Sequence, residues 1–196
     1  MGPGGGPTYF EGDGDFMKLT QTKFLTDDEL DQLRKNLAMT RNQFHVLLVE
    51  FALFTGARSA EIVEVRTSDL NNNGTVTIKG KKGSNDKTVP LPPAFFQRLK
   101  KYVSTIKNGG NIFPVSTRMF RKIWANVTPN KDKSLHSLRH TMGVKLYNNC
   151  EDIHAVKTML GHKNISSSMV YLDFIEGNRK LKNSIKNMWN KKLDVA

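Results

Sequence analysis

Two short segments of alternating character interrupt an otherwise helical sequence, and this change of period limits the fold more than any other feature. Residues 75–79 and 87–91 alternate apolar and polar side chains as antiparallel strands do. Asn71–Gly74 is a turn signal before the first strand, and Gly80–Asp86 is a basic hairpin tip between the two. Apolar residues elsewhere recur with the helical period. We therefore predict a mostly α fold with a small antiparallel β-sheet, an α+β class.

The helical stretches carry recognisable start and stop signals. Thr26 and Glu29 form a capping box, and Gly56 ends an apolar helix over residues 44–54. Ser59 is the expected N-cap of a short helix that follows. Further helices are predicted from Pro92 or Pro93 to about 106, after Ser116 or Thr117, and over 136–147, 152–160, 166–172 and 178–189.

A chain of 196 residues suits one domain with a substantial core. Residues 1–19 are rich in glycine and poor in apolar side chains, so we expect a disordered linker or an expression-tag remnant there, followed by one folded domain over residues 20–196. The longest apolar stretch, residues 46–54, is far shorter than the ~18 residues that a membrane span needs. We expect no membrane association.

Charge is distributed unevenly around a net value of +12. Residues 1–70 hold seven basic and eleven acidic side chains, whereas residues 71–196 hold twenty-three and seven. Such a surface either binds a polyanion such as nucleic acid or serves only for solubility. The single cysteine, Cys150, excludes an internal disulfide and a cysteine-based zinc site, and favours a reducing, cytoplasmic setting.

Four segments carry groups that suit cleavage of a phosphodiester without a metal. This chemistry requires a nucleophile, fixed cations on the phosphoryl oxygens and a proton for the leaving oxygen. Acidic residues in the second half are scattered, so we expect neither a metal nor a cofactor. The four segments are Thr55–Glu61, His136–His140, Leu160–His162 and Tyr171, which lies nine residues beyond His162.

The order and spacing of these segments resemble the catalytic domain of tyrosine recombinases, the phage integrase family. The similarity runs from about residue 25 to residue 174. It implies a recombinase catalytic-domain fold and an enzyme that cleaves and rejoins DNA at specific sites, in integration or excision, through a 3′-phosphotyrosyl intermediate. The alternatives are relaxation of DNA like a type IB topoisomerase, and a DNA-binding relative that has lost catalysis.

The resemblance also implies roles for individual residues. Arg58 and Arg139 resemble the two arginines that clamp the scissile phosphate, for which a guanidinium fork is well suited. His136 resembles the residue that assists proton transfer from the nucleophile, and His162 the one that hydrogen-bonds the phosphoryl oxygens. Tyr171 resembles the nucleophile.

The family also has a hairpin lysine that protonates the leaving 5′-oxygen. Counting back seven residues from Val89 aligns Lys82 with this role, while Lys81 and Lys79 are close enough to compete. For DNA binding outside the catalytic set we expect a group of basic side chains on the hairpin and on the helix after residue 116. They are Lys81, Arg118, Arg121 and Lys122.

Each role has a simpler structural alternative. Arg58 could pair with Glu61 or Glu64, Tyr171 could be a core aromatic, and the hairpin lysines could form a solvated tip. His140 is expected to be structural, off the face of the helix that carries His136.

The resemblance implies double-stranded DNA as partner and a homo-tetramer on DNA, in a prokaryotic or phage-encoded setting. We expect a monomer in isolation, because a domain of the family is expected to be missing. The N-terminal DNA-binding domain of the family is expected to be absent, because nothing before Thr20 could form it. An apolar stripe near the C-terminus packs either on its own domain or on a neighbouring subunit. Its members are Leu181, Ile185, Met188 and Trp189.

Overall fold

A computed structural model describes residues 19–81, 83–106 and 109–193, with side chains through residue 189. The expectation for residues 1–18 and the assignment of Lys82 therefore lie outside the described residues. Leu19, at the expected boundary of the linker, is buried with only 3% of its surface exposed.

The described elements follow the predicted order of helices around one hairpin. The helices are α1 (Asp27–Met39), α2 (Gln43–Thr55), α3 (Ser59–Ile62), α4 (Pro93–Val103), α5 (Thr117–Val127), α6 (Leu135–Cys150), α7 (Ile153–Leu160) and α8 (Ser166–Leu193). The strands are β1 (Thr75–Ile78) and β2 (Lys87–Pro90), and two 3₁₀ turns cover Gln21–Lys23 and Thr67–Asp69. This arrangement confirms the α+β class.

Local signals account for most of the helix limits. The Thr26 hydroxyl accepts from the Glu29 amide at 3.2 Å, and the Glu29 carboxylate accepts from the Thr26 amide at 2.9 Å, which confirms the capping box. Gly56 ends α2 in the left-handed region, with φ of 57°. The Ser116 hydroxyl caps α5. At α3 the prediction was wrong, because Arg58 occupies the N-cap position and Ser59 is already helical.

The two strands pair antiparallel, with Val76 opposite Val89 and Ile78 opposite Lys87. Val76, Ile78 and Val89 are fully buried and turn one face of the hairpin toward the core. Beyond the strands the hairpin continues to Ser84, which forms a bridge with His162. This contact brings the end of the hairpin against the turn between α7 and α8.

The region after the turn at Gly161 differs from the prediction of two separate helices. Residues 166–172 and 178–189 belong to one helix, α8. Gly177 lies inside it; a single glycine costs a helix about 1 kcal/mol relative to alanine, which is not enough to end one.

The core consists of two clusters. The larger one joins α1–α5 and the hairpin around residues such as Leu47, Phe51 and Phe113. The smaller one joins the segment before α1 to α6, α7 and α8, and includes Tyr147 and Tyr171. Helix α6 packs against α2, α7 and α8, so it lies between the segments that carry the candidate residues.

Candidate active site

Arg58 is held at the turn between α2 and α3. Its backbone amide donates to the Glu61 carboxylate at 2.9 Å, and its guanidinium donates to the same carboxylate at 3.3 Å and to the Ser84 hydroxyl. The pairing of Arg58 with Glu61 is thus present, whereas Glu64 pairs with Lys81. The contact with Ser84 fastens the arginine to the hairpin.

Arg139 is a buried cation with unused donor capacity. Only 2% of its surface is exposed, and its Nη1 donates to the Gly56 carbonyl at 2.7 Å. Its Nη2 is buried without a hydrogen-bond partner among the described residues. A buried charged donor left unpaired is costly, and an anion placed beside this atom would remove that cost.

A pocket of about 390 Å³ lies beside these arginines. Arg58, His136 and Arg139 line it, together with Arg121 of α5. Three cationic side chains and a histidine therefore face one cavity, which suits a phosphate group.

The two histidines near the start of α6 contact each other, and His140 also contacts Tyr171. The rings of His136 and His140 meet edge to face with centroids 4.6 Å apart. His140 Nδ1 lies 3.1 Å from the Tyr171 hydroxyl. The expectation that His140 lies off the His136 face was wrong, because residues four apart lie on the same side of a helix.

His162 is the third histidine of the site, and its ring contacts that of Tyr171. The left-handed conformation of Gly161 ends α7, and His162 follows it as a buried residue. Its Nδ1 lies 2.7 Å from the Ser168 hydroxyl, which fixes the ring. The ring stacks on that of Tyr171, with centroids 6.5 Å apart and an interplanar angle of 12°.

All three histidines are held in the neutral form near pH 7. Loss of solvent contact and the positive charges of Arg139 and Arg58 lower the pKa of His136 to about 4, although this residue keeps an exposed face. Burial and neighbouring cations lower the pKa of His140 and of His162 to about 3. A neutral imidazole has one nitrogen that accepts a proton and one that donates.

Tyr171 is almost completely enclosed, with 1% of its surface exposed. Burial raises the pKa of its hydroxyl to about 12, against the opposing effect of Arg139 and Arg58. The ring lies flush against Gly143, where an added Cβ would stand 2.5 Å from the ring. Tyr171 does not line the pocket between the arginines.

Lys87 is a buried cation of the site that sequence reasoning missed. Its ammonium donates to the carbonyl of Thr55 at 3.1 Å and to that of Met159 at 2.9 Å. Burial, followed by the charge of Arg139, lowers its pKa to about 7. The only sequence signal was a lysine at an inward position of β2, where the alternating pattern calls for an apolar side chain.

Comparison with known proteins identifies the family. A model described as the phage integrase family matches residues 23–176. The chain belongs to this family. The curated relatives of this phage integrase family member include the tyrosine recombinase XerA of Thermococcus onnurineus, 26% identical over 76% of this chain and 57% of XerA. XerD of Staphylococcus saprophyticus is 29% identical over 69% of this chain and 52% of its own length. The chain thus spans a little over half the length of these relatives.

Solved structures share the fold. The catalytic domain of bacteriophage HP1 integrase aligns with a TM-score of 0.61 and 26% identity, covering 78% of this chain and 88% of that domain. The XerH recombinase in a post-cleavage complex with difH aligns with a TM-score of 0.67 and 23% identity, covering 86% of this chain and 54% of XerH. The fold of this family member is that of a tyrosine recombinase catalytic domain.

The basic residues predicted to contact DNA occupy two places in this integrase-family chain. Arg118, Arg121 and Lys122 are exposed on α5, and Arg121 is the one that reaches the pocket. Lys81 is partly exposed and paired with Glu64. Their role in DNA binding stays a prediction.

The described part of this family member also contains a mainly apolar cavity. This cavity of about 760 Å³ runs along α8 and is lined by residues such as Val170 and Phe174. In the part of the chain that the structure describes, no three His, Cys, Asp or Glu side chains are grouped to hold a metal ion. Within the same ranges, no helix combines the length and apolar character that a bilayer crossing demands.

Proposed function

We propose that this chain is the catalytic domain of a site-specific DNA recombinase that cleaves and rejoins strands through a covalent bond between Tyr171 and a 3′-phosphate. The unpartnered Nη2 of the buried Arg139 carries the proposal. It is an unsatisfied charged donor that a phosphoryl oxygen would satisfy, beside the guanidinium of Arg58. These two arginines would neutralise the phosphate as negative charge develops on it.

The proton balance of the reaction fits the neutral histidines. Tyr171 Oη attacks phosphorus, the bond from phosphorus to O5′ breaks, and the phenolic proton leaves as the new ester forms. With a pKa of about 4, His136 has a free acceptor at neutral pH and would assist this transfer. If Ser168 donates to His162 Nδ1, the Nε2–H of His162 is free to donate to a phosphoryl oxygen.

Return of a proton to O5′ is the task we assign to a hairpin lysine. Lys82 is the candidate, and the bridge between Ser84 and His162 supports it, because this contact fastens the end of the hairpin to the site. Ester formation conserves the energy of the phosphodiester, so rejoining needs no ATP. Neither step requires a cofactor.

Double-stranded DNA is the proposed substrate, bound by the positive surface that includes Lys81, Arg118, Arg121 and Lys122. Relatives of known structure such as XerH were solved as complexes with their DNA substrates. Because Tyr171 is buried away from the pocket, it must move before it can attack. We propose that assembly of a tetramer on DNA drives this movement, and that the chain alone is a monomer.

The C-terminal stripe supports assembly with other copies. Leu181, Ile185, Met188 and Trp189 are 45–59% exposed, so their own domain leaves much of their surface uncovered. Their burial against a neighbouring subunit is the arrangement we propose. Exposed apolar groups of this kind at one helix face favour association.

The alternatives weighed from the sequence receive less support. The curated relatives described above are named tyrosine recombinases, which does not favour relaxation by a topoisomerase. A catalytically silent relative would have no need to keep a buried arginine with an open donor beside three histidines and a tyrosine.

Covalent trapping from a randomised DNA pool tests the proposal and identifies the target site at the same time. Nicked duplexes with a randomised core are incubated with the chain in EDTA, and protein–DNA adducts are isolated on a denaturing gel and sequenced. We expect the wild type to form an adduct and to release a DNA strand that carries a free 5′-hydroxyl. The variant Tyr171→Phe should form none.

Tyr147→Phe is the matched control, because Tyr147 is 4% exposed and belongs to the same apolar cluster as Tyr171. It should form the adduct at a normal rate. An adduct that persists in Tyr171→Phe would refute the assignment of the nucleophile. DNA binding by the wild type without any adduct would instead support the silent relative.

A further inference from the structure

The buried ammonium of Lys87 joins two helix ends that the proposed chemistry needs to keep together. Thr55 is the last residue of α2 and Met159 is the last but one of α7. Carbonyl groups at the end of a helix lack intrahelical partners and carry the negative end of the helix dipole. Lys87 donates to one such carbonyl from each helix.

Both helices are followed by a left-handed glycine and then by a residue of the candidate site. Gly56 leads to Arg58, and Gly161 leads directly to His162. The stem of Lys87 packs beneath the second turn, since a Cβ on Gly161 would lie 3.3 Å from Lys87 Cδ. One side chain on β2 therefore touches the backbone that places both Arg58 and His162.

We propose that Lys87 is a positioning residue, which fixes the separation of Arg58 and His162 around the scissile phosphate by bonding the ends of α2 and α7. The proposal rests on the proposed function for its catalytic consequence. It assigns Lys87 no contact with DNA, and it is separate from the role of Lys82.

The charges around Lys87 support this arrangement. Glu61 of α3 faces Lys87 and favours the ammonium, whereas Arg139 of α6 and Arg58 disfavour it because they carry the same charge. His162 after α7 is close enough for Lys87 to lower its pKa. With a pKa of about 7, part of the population is an uncharged amine, which still has two N–H donors for the two carbonyls. Entry of a phosphate would add a negative charge and favour the protonated form.

Single-turnover cleavage of the trapped DNA sequence measures the effect of removing the ammonium. Lys87→Met should lower the rate constant for adduct formation at saturating DNA about 100-fold, since a misplacement of about 1 Å has that effect on an assembled site. The DNA concentration at half-saturation should stay unchanged. Lys87→Arg keeps two donors and a cation, so it should retain adduct formation within about tenfold.

Lys133→Met is the matched control. Lys133 is also a buried lysine whose ammonium donates to backbone carbonyls, those of Gln21, Thr22 and Phe24. These partners lie before α1, so none of them belongs to α2 or α7. Both Met variants should unfold more easily than the wild type. Only Lys87→Met should slow adduct formation at saturating DNA in the folded protein.

A second readout needs no DNA and separates this inference from the proposed function. The charge of Lys87 contributes to the low pKa of His162. In NMR titrations, with the His162 signal assigned from His162→Gln, the pKa of His162 should rise in Lys87→Met and stay unchanged in Lys133→Met and Lys87→Arg.

The outcomes are distinct. If the wild type forms no adduct but the pKa of His162 rises in Lys87→Met, the proposed function fails and the contact of Lys87 with the site stands. If Lys87→Met cleaves at the wild-type rate, or its His162 titration is unchanged, the positioning role is refuted. If Lys87→Met does not fold, a 100-fold loss in folded Lys87→Arg with an unchanged pKa of His162 would refute it as well.

Discussion

Replacement of Gly143 by alanine should displace the Tyr171 ring from its buried position. A Cβ at residue 143 would stand 2.5 Å from Cε1 and 2.6 Å from Cζ of Tyr171, whereas ordinary van der Waals contact begins at 3.4 Å. The ring must therefore move by about 1 Å, and the rings of His140 and His162 limit where it can go. Overpacking of this kind costs about 1–3 kcal/mol.

The intrinsic effect of alanine in a helix works in the other direction. It stabilises a helix by about 1 kcal/mol relative to glycine. Gly177→Ala supplies the matched control, because Gly177 is also helical but an added Cβ meets nothing within 4 Å. The free energy of unfolding of Gly143→Ala should be lower than that of Gly177→Ala by about 1–3 kcal/mol, since the helical gain cancels between the two.

Two measurements decide the prediction. Denaturant unfolding gives the difference in stability, and spectrophotometric titration against Tyr171→Phe isolates the ionisation of Tyr171. Partial exposure should lower the pKa of Tyr171 from about 12 toward the ordinary value of 10.0. Equal unfolding free energies for the two alanine variants, with the Tyr171 titration unchanged, would refute the proposed close packing.

Two further predictions concern stability. The free energy of unfolding should fall as the pH is lowered from about 6.5 to about 4, because the unfolded chain binds protons at three histidines that the folded chain keeps neutral. These are His136, His140 and His162. His140→Gln should make this pH dependence shallower, and an equally steep dependence in that variant would contradict the assignment. Thr141→Val should lower the free energy of unfolding by about 1–3 kcal/mol, because the buried Leu25 amide loses its acceptor at 2.8 Å. Thr88→Val, at an exposed position, is the control in the same denaturant titration, and an equal loss in both would argue against the buried bond.

Local features of the sequence were sufficient to predict the order of the elements. The capping box at Thr26, the stop at Gly56 and the alternating strands each depend on neighbouring residues, so they can be predicted without knowledge of the tertiary structure. The same holds for the spacing of the arginine, histidine and tyrosine segments that carried the family resemblance. Their roles in catalysis remain predictions.

Tertiary structure alone decided how these groups contact one another. Lys87 bonds to Thr55, 32 residues away, and to Met159, 72 residues away. A lysine on a short strand gives no local sign of such partners, because they depend on how α2 and α7 pack against β2. The enclosure of Tyr171 against Gly143 has the same origin.

Helix α8 is a whole element for which packing, and not local sequence, decided the outcome. The sequence around Gly177 favoured a break, but the chain continues as one helix. A local helix propensity of about 1 kcal/mol is small beside the burial of apolar side chains such as Ile175 in the core. Sequence by itself determined which chemical groups are present and in what order, and packing decided which of them meet and which are shielded from water.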